Sequence, residues 1–244
     1  MSLSFIKEYE YPTLVRNTPA NGQRYYICPA TGRHLPSVTR VLDHTADKTG
    51  LLEWRKRVGD KEADRIKYEA TGLGTLVHEH LEKFIMGKPR PTGNNLVRQQ
   101  AEAMADQIIE HGLTQVSEIY GSEVGLFMPG LYAGTADSIA SVHGLPRCDG
   151  EWVDPGVLSV IDFKSAKKIK KREHIEDYLT QIVAYGMAHD GLFDTQIEQG
   201  VIYMVDRDFQ FEKFVLNGAE FKSYQGKWLD RLDQYYSKAG ITAA

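Results

Sequence analysis

The sequence predicts an α/β fold: a mixed central β-sheet flanked by helices, with a small β-hairpin extension at the amino terminus. Three observations carry that expectation. Short β-rich runs cluster between residues 116 and 163 and again between 200 and 216. Amphipathic stretches of helical period stand before, between and after them, and the chain opens on alternating aromatic and polar residues. At 244 residues with 42% apolar and 10% aromatic content, the chain can bury one substantial core. It shows no internal repeat and no long linker, so we place an N-terminal β-rich extension over residues 1–35 and one domain over 36–244.

Each element follows from local pattern. Tyr9 to Ile27 alternates around Asn21-Gly22, a dipeptide that favours a tight hairpin turn. Ser37 is a helix cap ahead of Val38, Val41 and Leu42. Leu51 to Ala70 keeps rough helical spacing despite Gly59, and Leu73, Leu76, Val77, Leu81, Phe84 and Ile85 form a clearer stripe that Gly87 and Pro89 end. A helix is expected over Val97–His111, then strands over Val116–Phe127, Leu131–Val142 and Val157–Phe163. A helix from His174 to Ala188, strands at Gly200–Val205 and Phe209–Leu216, and an amphipathic helix carrying Phe221, Tyr224, Trp228, Leu232 and Tyr235 complete the chain.

Composition excludes several classes. Twenty-nine Lys and Arg stand against 33 Asp and Glu, so no global positive field marks a nucleic-acid partner and any basic surface must be local. Cys28 and Cys148 are too few for a disulfide framework or a four-cysteine iron–sulfur cluster. They point to a reducing, cytoplasmic compartment. No run of eighteen apolar residues occurs, and the first twelve residues carry no signal-peptide pattern, so no membrane association is expected.

The chemistry concentrates in three places. In Ser159-Val-Ile-Asp162-Phe-Lys164-Ser165, strand periodicity projects Asp162 and Lys164 on one face and Ile161 and Phe163 on the other. An exposed charge pair is the plain alternative, yet this one is embedded in an apolar run. In Gly134-Thr135-Ala136-Asp137 a second carboxylate lies among small residues that leave room for a ligand. If the two strands are neighbours, Asp137 and Asp162 converge, and both stay ionised only with a cation between them. Hard oxygen donors without cysteine favour Mg²⁺ or Mn²⁺ over zinc. In Gly74-Thr75-Leu-Val-His78-Glu-His80-Leu-Glu82, His80 falls inside the apolar arc and reads as a core histidine. His78 falls at its edge, half-buried and available to a metal.

In this order the segments Gly74-Thr75-x-x-His78-x-x-x-Glu82, Gly134-x-x-Asp137, Asp162-Phe163-Lys164 and Gln181-x-x-x-Tyr185 resemble the PD-(D/E)XK nuclease superfamily in its RecB-like branch. Pro36-Ser37-Val38-Thr39-x-Val41-Leu42, Leu52-x-Trp54-Arg55 and Gly59 are further similar to the mitochondrial genome maintenance exonuclease group and its phage-encoded relatives. The resemblance spans about Leu35 to Tyr203 and implies a restriction-endonuclease-like core. It implies that His78, Asp137, Asp162 and the Phe163 carbonyl hold one or two Mg²⁺ or Mn²⁺ ions, and that Lys164 orients or deprotonates the attacking water. It places Gln181 and Tyr185 near the active site, touching the substrate backbone or bracing the lysine, and it implies single-stranded DNA ends as substrate with 5′-phosphate products. Glu82 and Glu123 are secondary candidates for holding ligands or metal-bound water.

Lys164 to Arg172 carries six positive charges in nine residues, and Lys167, Lys168, Lys170, Lys171 and Arg172 lie where a phosphate backbone would leave the catalytic strand. Arg33, Ser37, Thr39 and Arg40 form a second candidate contact, and Tyr25 and Tyr26 offer stacking rings. No helicase phosphate loop occurs, which suits a stand-alone nuclease of phage or bacterial cytoplasm acting in DNA replication, recombination or repair. Two other readings fit the same residues: a DNA-binding module without turnover, and an endonuclease for branched or duplex DNA.

Overall fold

A computed structural model describes residues 3–17, 25–144 and 156–239. A six-stranded mixed sheet in the order β1-β5-β6-β7-β8-β9 forms its centre. The strands are β1 (Ser4–Phe5), β5 (Val116–Met128), β6 (Tyr132–Val142), β7 (Val157–Ala166), β8 (Gln199–Asp206) and β9 (Phe211–Asn217). The β1–β5 and β7–β8 pairs are parallel and the other pairs antiparallel. A second, antiparallel sheet joins β2 (Val15–Asn17), β3 (Tyr25–Ile27) and β4 (His34–Pro36). The α/β class with a small N-terminal β element is therefore as expected. β2 and β3 make the anticipated antiparallel pair, while its Asn21-Gly22 turn, like Cys148, lies outside the described residues. The N-terminal segment also reaches the main sheet, where β1 aligns with Glu118 and Ile119.

Helices cover both faces. On one side α1 (Val38–Thr45), α5 (Glu176–Phe193) and α6 (Gly218–Ala239) bury Val41, Ile182, Phe221 and Trp228 against Val124, Ile139, Val160 and Ile202. On the other, α3 (Asp60–Ile85) and α4 (Leu96–His111) bury Val77, Leu81 and Ile108 against Ile119, Ile161, Phe163 and Tyr203. Fully burying one such apolar side chain contributes ~1.5–3 kcal/mol. Ser37 caps α1 as expected, its hydroxyl accepting from the Arg40 N–H at 3.1 Å.

One helix boundary differs from the sequence reading. The break falls at Gly59 (φ 85°), between α2 (Thr49–Val58) and α3, and α3 then runs unbroken through Gly72 and Gly74. Gly59 takes a positive φ that most L-residues avoid, whereas Gly72 and Gly74 stay helical at the modest cost of their flexibility. Gly74 has a packing use: a Cβ there would lie 3.2 Å from Ser165 Oγ, so α3 approaches β7 closely at the point where His78 must reach it.

Candidate metal centre and active-site cleft

The site forms where the sheet forks. The β6–β7 ladder pairs Val142 with Val157 through Ser138 with Ile161 and then stops. Beyond the last pair, the Asp137 side chain replaces a backbone partner, its Oδ2 accepting from the Phe163 N–H at 2.7 Å. Asp162 and Lys164 share a face of β7 as the pleat requires, and Ile161 and Phe163 enter the opposite core. The Lys164 ammonium forms an ion pair with Asp162 Oδ2, on a residue only 1% exposed.

His78 leans across from α3. Its Nε2 lies 2.9 Å from the Phe163 carbonyl oxygen and its Nδ1 lies 3.6 Å from Asp137 Oδ1. His80 is buried as expected, and its Nδ1 accepts from Arg90 at 3.3 Å, which keeps it apart from the cleft. Glu123 stands on β5 between Ser122 and Val124, which pair with Ser138 and Ala136 on either side of Asp137. One donor atom from each of His78, Glu123 and Asp137 falls within 4.8 Å of the others. Glu82 lines the same cleft of about 530 Å³ with Thr71, Gly74, Thr75, His78, Glu79 and Glu123. A second groove, of about 760 Å³, runs from Glu123 and Thr135 beneath the irregular strap of residues 7–14.

The electrostatics follow from crowded carboxylates in a half-dry fork. Desolvation first, and then the Asp137 carboxylate, push the Glu123 carboxyl up to about 7. Burial raises the Asp162 carboxyl above its ordinary value against the opposing pull of the Lys164 ammonium. Lys164 is itself raised, because attraction to Asp162 and Asp137 outweighs the desolvation that opposes it. In this arrangement Lys164 is an ammonium, suited to orienting an anionic group rather than taking a proton.

Behind Lys164 lies α5. Gln181 Oε1 is 3.5 Å from the ammonium, and Gln181 Nε2 is 3.4 Å from the Tyr185 hydroxyl. The small residue Gly134 serves this relay rather than opening space for a ligand, since a Cβ there would lie 2.7 Å from the Tyr185 ring. Tyr178 sits beneath two cations, with Lys164 Nζ 4.9 Å and Lys170 Nζ 4.6 Å from its ring centre. Lys170 also donates to the Tyr178 hydroxyl at 2.7 Å.

The basic run is less of a unit than its sequence suggests. Lys168 pairs with Asp208, Arg172 reaches Glu220 at 2.7 Å, and Lys171 stands 3.9 Å from Glu173. Lys167 lines a separate groove with Arg65, Ser165 and Arg207. Ser37, Thr39 and Arg40 gather at the β4–α1 corner, where Arg40 Nε donates to the Tyr235 hydroxyl at 2.8 Å, whereas Arg33 precedes β4 and is exposed, its N–H near Thr31 Oγ1. Tyr25 packs on His34, with ring centres 3.9 Å apart, and Tyr26 packs on the cluster around Cys28 and Leu35. Among the described residues no helix is long and apolar enough to cross a membrane.

The residues fit a hard divalent cation. Carboxylates from two adjacent strands, Glu123 on β5 and Asp137 on β6, meet the His78 imidazole, and the buried Asp162 carboxylate, paired with Lys164, stands on the next strand. Comparison with known proteins adds fold-level likeness only. No family model and no curated protein matches the chain. A candidate exonuclease from Eubacterium rectale shares 12% identity over 70% of this chain, which spans 65% of that protein, with a TM-score of 0.46. An alkaline exonuclease from Laribacter hongkongensis shares 15% identity, over 84% of this chain and 92% of that one, with a TM-score of 0.31.

Proposed function

We propose that this protein is a metal-dependent nuclease of the PD-(D/E)XK type that hydrolyses DNA from its ends. The observation that carries the reading is the meeting of His78, Asp137, Asp162 and Lys164 at one fork, from three separate stretches of sequence. His78, Asp137, Asp162 and the Phe163 carbonyl are the residues that would hold Mg²⁺ or Mn²⁺. A bound cation makes a water more acidic and stabilises charge on a phosphate. The protein's own part is placement. Asp162 holds Lys164 charged, Gln181 and Tyr185 brace it from α5, and the ammonium offers an electrostatic contact to the phosphate or the attacking water.

We extend the proposal to single-stranded ends, 5′-phosphate products and a role in phage or bacterial DNA metabolism, on the strength of the motif resemblance. The test is a linear single-stranded oligonucleotide set against a covalently closed single-stranded circle. Trimming of the linear strand alone, with products that accept no further 5′-phosphate from a kinase, supports this reading. Cutting of the circle at a similar rate replaces it with an endonuclease.

A further inference from the structure

We infer that a single nucleic-acid strand runs from the catalytic cleft along a trough between the N-terminal strap and the end of α3, its bases resting on Phe5 and Met86 and its phosphates facing Lys7 and Lys88. This deepens the nuclease reading and rests on it, and it takes the strand away from the basic run of residues 167–172.

The trough is three grooves joined end to end. Glu123 lines both the cleft and the 760 Å³ groove beneath the strap. Phe5 and Met86 line both that groove and a third, of about 410 Å³, which continues past Leu3, Phe84 and Lys88. The chemistry changes along this length. Glu10 and Glu123 are the acids in the lining of the strap groove, whereas among the described residues no acid lines the third. Phe5 is 46% and Met86 38% exposed, and Phe5 stacks on no other ring among the described residues, so its face is open to a base. Lys7 and Lys88 are exposed and pair with no acid among the described residues. In the basic run, by contrast, Lys168 pairs with Asp208 and Arg172 with Glu220, so the trough holds the freer counter-charge for a phosphate backbone. A duplex keeps its bases turned inward, so an apolar floor of this kind favours an unpaired strand.

The strap is held as a wall. A Cβ on Gly121 would lie 2.7 Å from the Tyr11 ring, and one on Gly125 would lie 2.6 Å from the Pro12 carbonyl oxygen, so Tyr11 and Pro12 settle into two glycine notches on β5. A directed hydrogen-bond chain then fixes Tyr11. The Thr195 hydroxyl donates to the Asp190 carboxylate at 2.7 Å, which leaves its oxygen to accept from His189 Nδ1 at 2.8 Å. Burial keeps the His189 ring neutral, so Nε2 is an acceptor and the Tyr11 hydroxyl donates to it at 3.3 Å. Tyr9 packs edge-on against His189 and Tyr120, with ring centres 4.7 Å and 5.9 Å away. The trough is therefore open before a strand arrives, and binding need not order its wall.

The experiment is binding of a fluorescein-labelled oligothymidylate in Ca²⁺, by anisotropy over a salt series, to wild type, Phe5→Ala, Phe5→Trp, the double variant Lys7→Ala with Lys88→Ala, and Lys168→Ala with Lys171→Ala in the basic run. Circular dichroism confirms that each is folded. Phe5→Ala should weaken binding at least about fivefold, and Phe5→Trp should restore it. The trough double variant should flatten the dependence of log K on log salt by about 0.7 for each lysine, a change that a merely structural role would not produce. Trough variants that bind like the wild type overturn this inference and leave the nuclease reading standing, as does a larger loss of salt dependence in the basic-run variant than in the trough variant. A wild type that neither binds this oligonucleotide nor trims it with Mg²⁺ or Mn²⁺ overturns both.

Discussion

Replacing Lys164 with methionine tests the electrostatic core of the site, because it keeps an apolar stem and removes the ammonium. Asp162 is 1% exposed, so the variant strands a carboxylate in the sheet without its ion-pair partner. Breaking a buried pair from one side costs about 3–5 kcal/mol. In a chain of this size each kcal/mol moves the melting temperature by roughly 2–4 °C, so a fall near 10 °C is expected in EDTA. The pH dependence has a definite sign. Asp162 already titrates above its unfolded value, and losing Lys164 lifts it further, so the folded variant binds more protons than the unfolded chain. The deficit is then small at pH 5 and grows toward pH 8. Bound Mn²⁺ replaces the missing charge, returning about 2.7 kcal/mol at a hundredfold excess over Kd, so metal should raise the melting temperature more in the variant than in the wild type. Thermal unfolding by circular dichroism from pH 5 to 8, with EDTA or Mn²⁺, reads all three effects. Lys164→Met melting with the wild type at pH 8 in EDTA would refute the reasoning.

Gly134→Ala forces a methyl group toward the Tyr185 ring and should cost ~1–3 kcal/mol, read by chemical denaturation, while slowing any cleavage through the displaced Tyr185–Gln181–Lys164 relay. His189 is fully buried and burial holds its imidazole at about 4, so the unfolded chain gains its proton first as pH falls. Stability should therefore be intact above pH ~6.5 and decline by up to ~3 kcal/mol as pH drops to 4, with a smaller decline in His189→Gln. Because Glu123 titrates near 7, Mn²⁺ affinity measured by calorimetry should weaken below that pH, by at most ~tenfold per unit for this one proton. Flat affinity from pH 8 to 5.5 would remove Glu123 from the metal environment.

The sheet and its covering helices were legible because their signals are local. Strands β5 to β9 alternate or run apolar between Gly and Pro clusters, and α4 to α6 carry regular stripes, so their positions follow within a few residues. The α2–α3 break was displaced because helical glycines and a glycine of positive φ look alike in sequence, and only the backbone separates Gly59 from Gly72. β1 is two residues long, and its edge pairing depends on a partner more than a hundred positions away. Within the site, Asp162-x-Lys164 was readable from strand parity and His78 from its place at the rim of a stripe. Glu123 was legible only as a secondary candidate, since its approach to Asp137 depends on the β5–β6 register and on a positive φ that no residue pattern announces. The basic run shows the converse. Its charges are plain in sequence, but Asp208 and Glu220, which occupy two of them, lie some 40 residues onward.

The most direct measurement is cleavage of a single-stranded oligonucleotide, labelled at either end, by wild type, Asp162→Asn and Lys164→Ala in Mg²⁺, Mn²⁺ or EDTA. A metal-dependent nuclease centre requires trimming with either ion, none in EDTA, and a loss of at least ~10² in both variants while they remain folded. Trimming that persists in EDTA, or in folded Asp162→Asn, would contradict a catalytic centre at the β6–β7 fork.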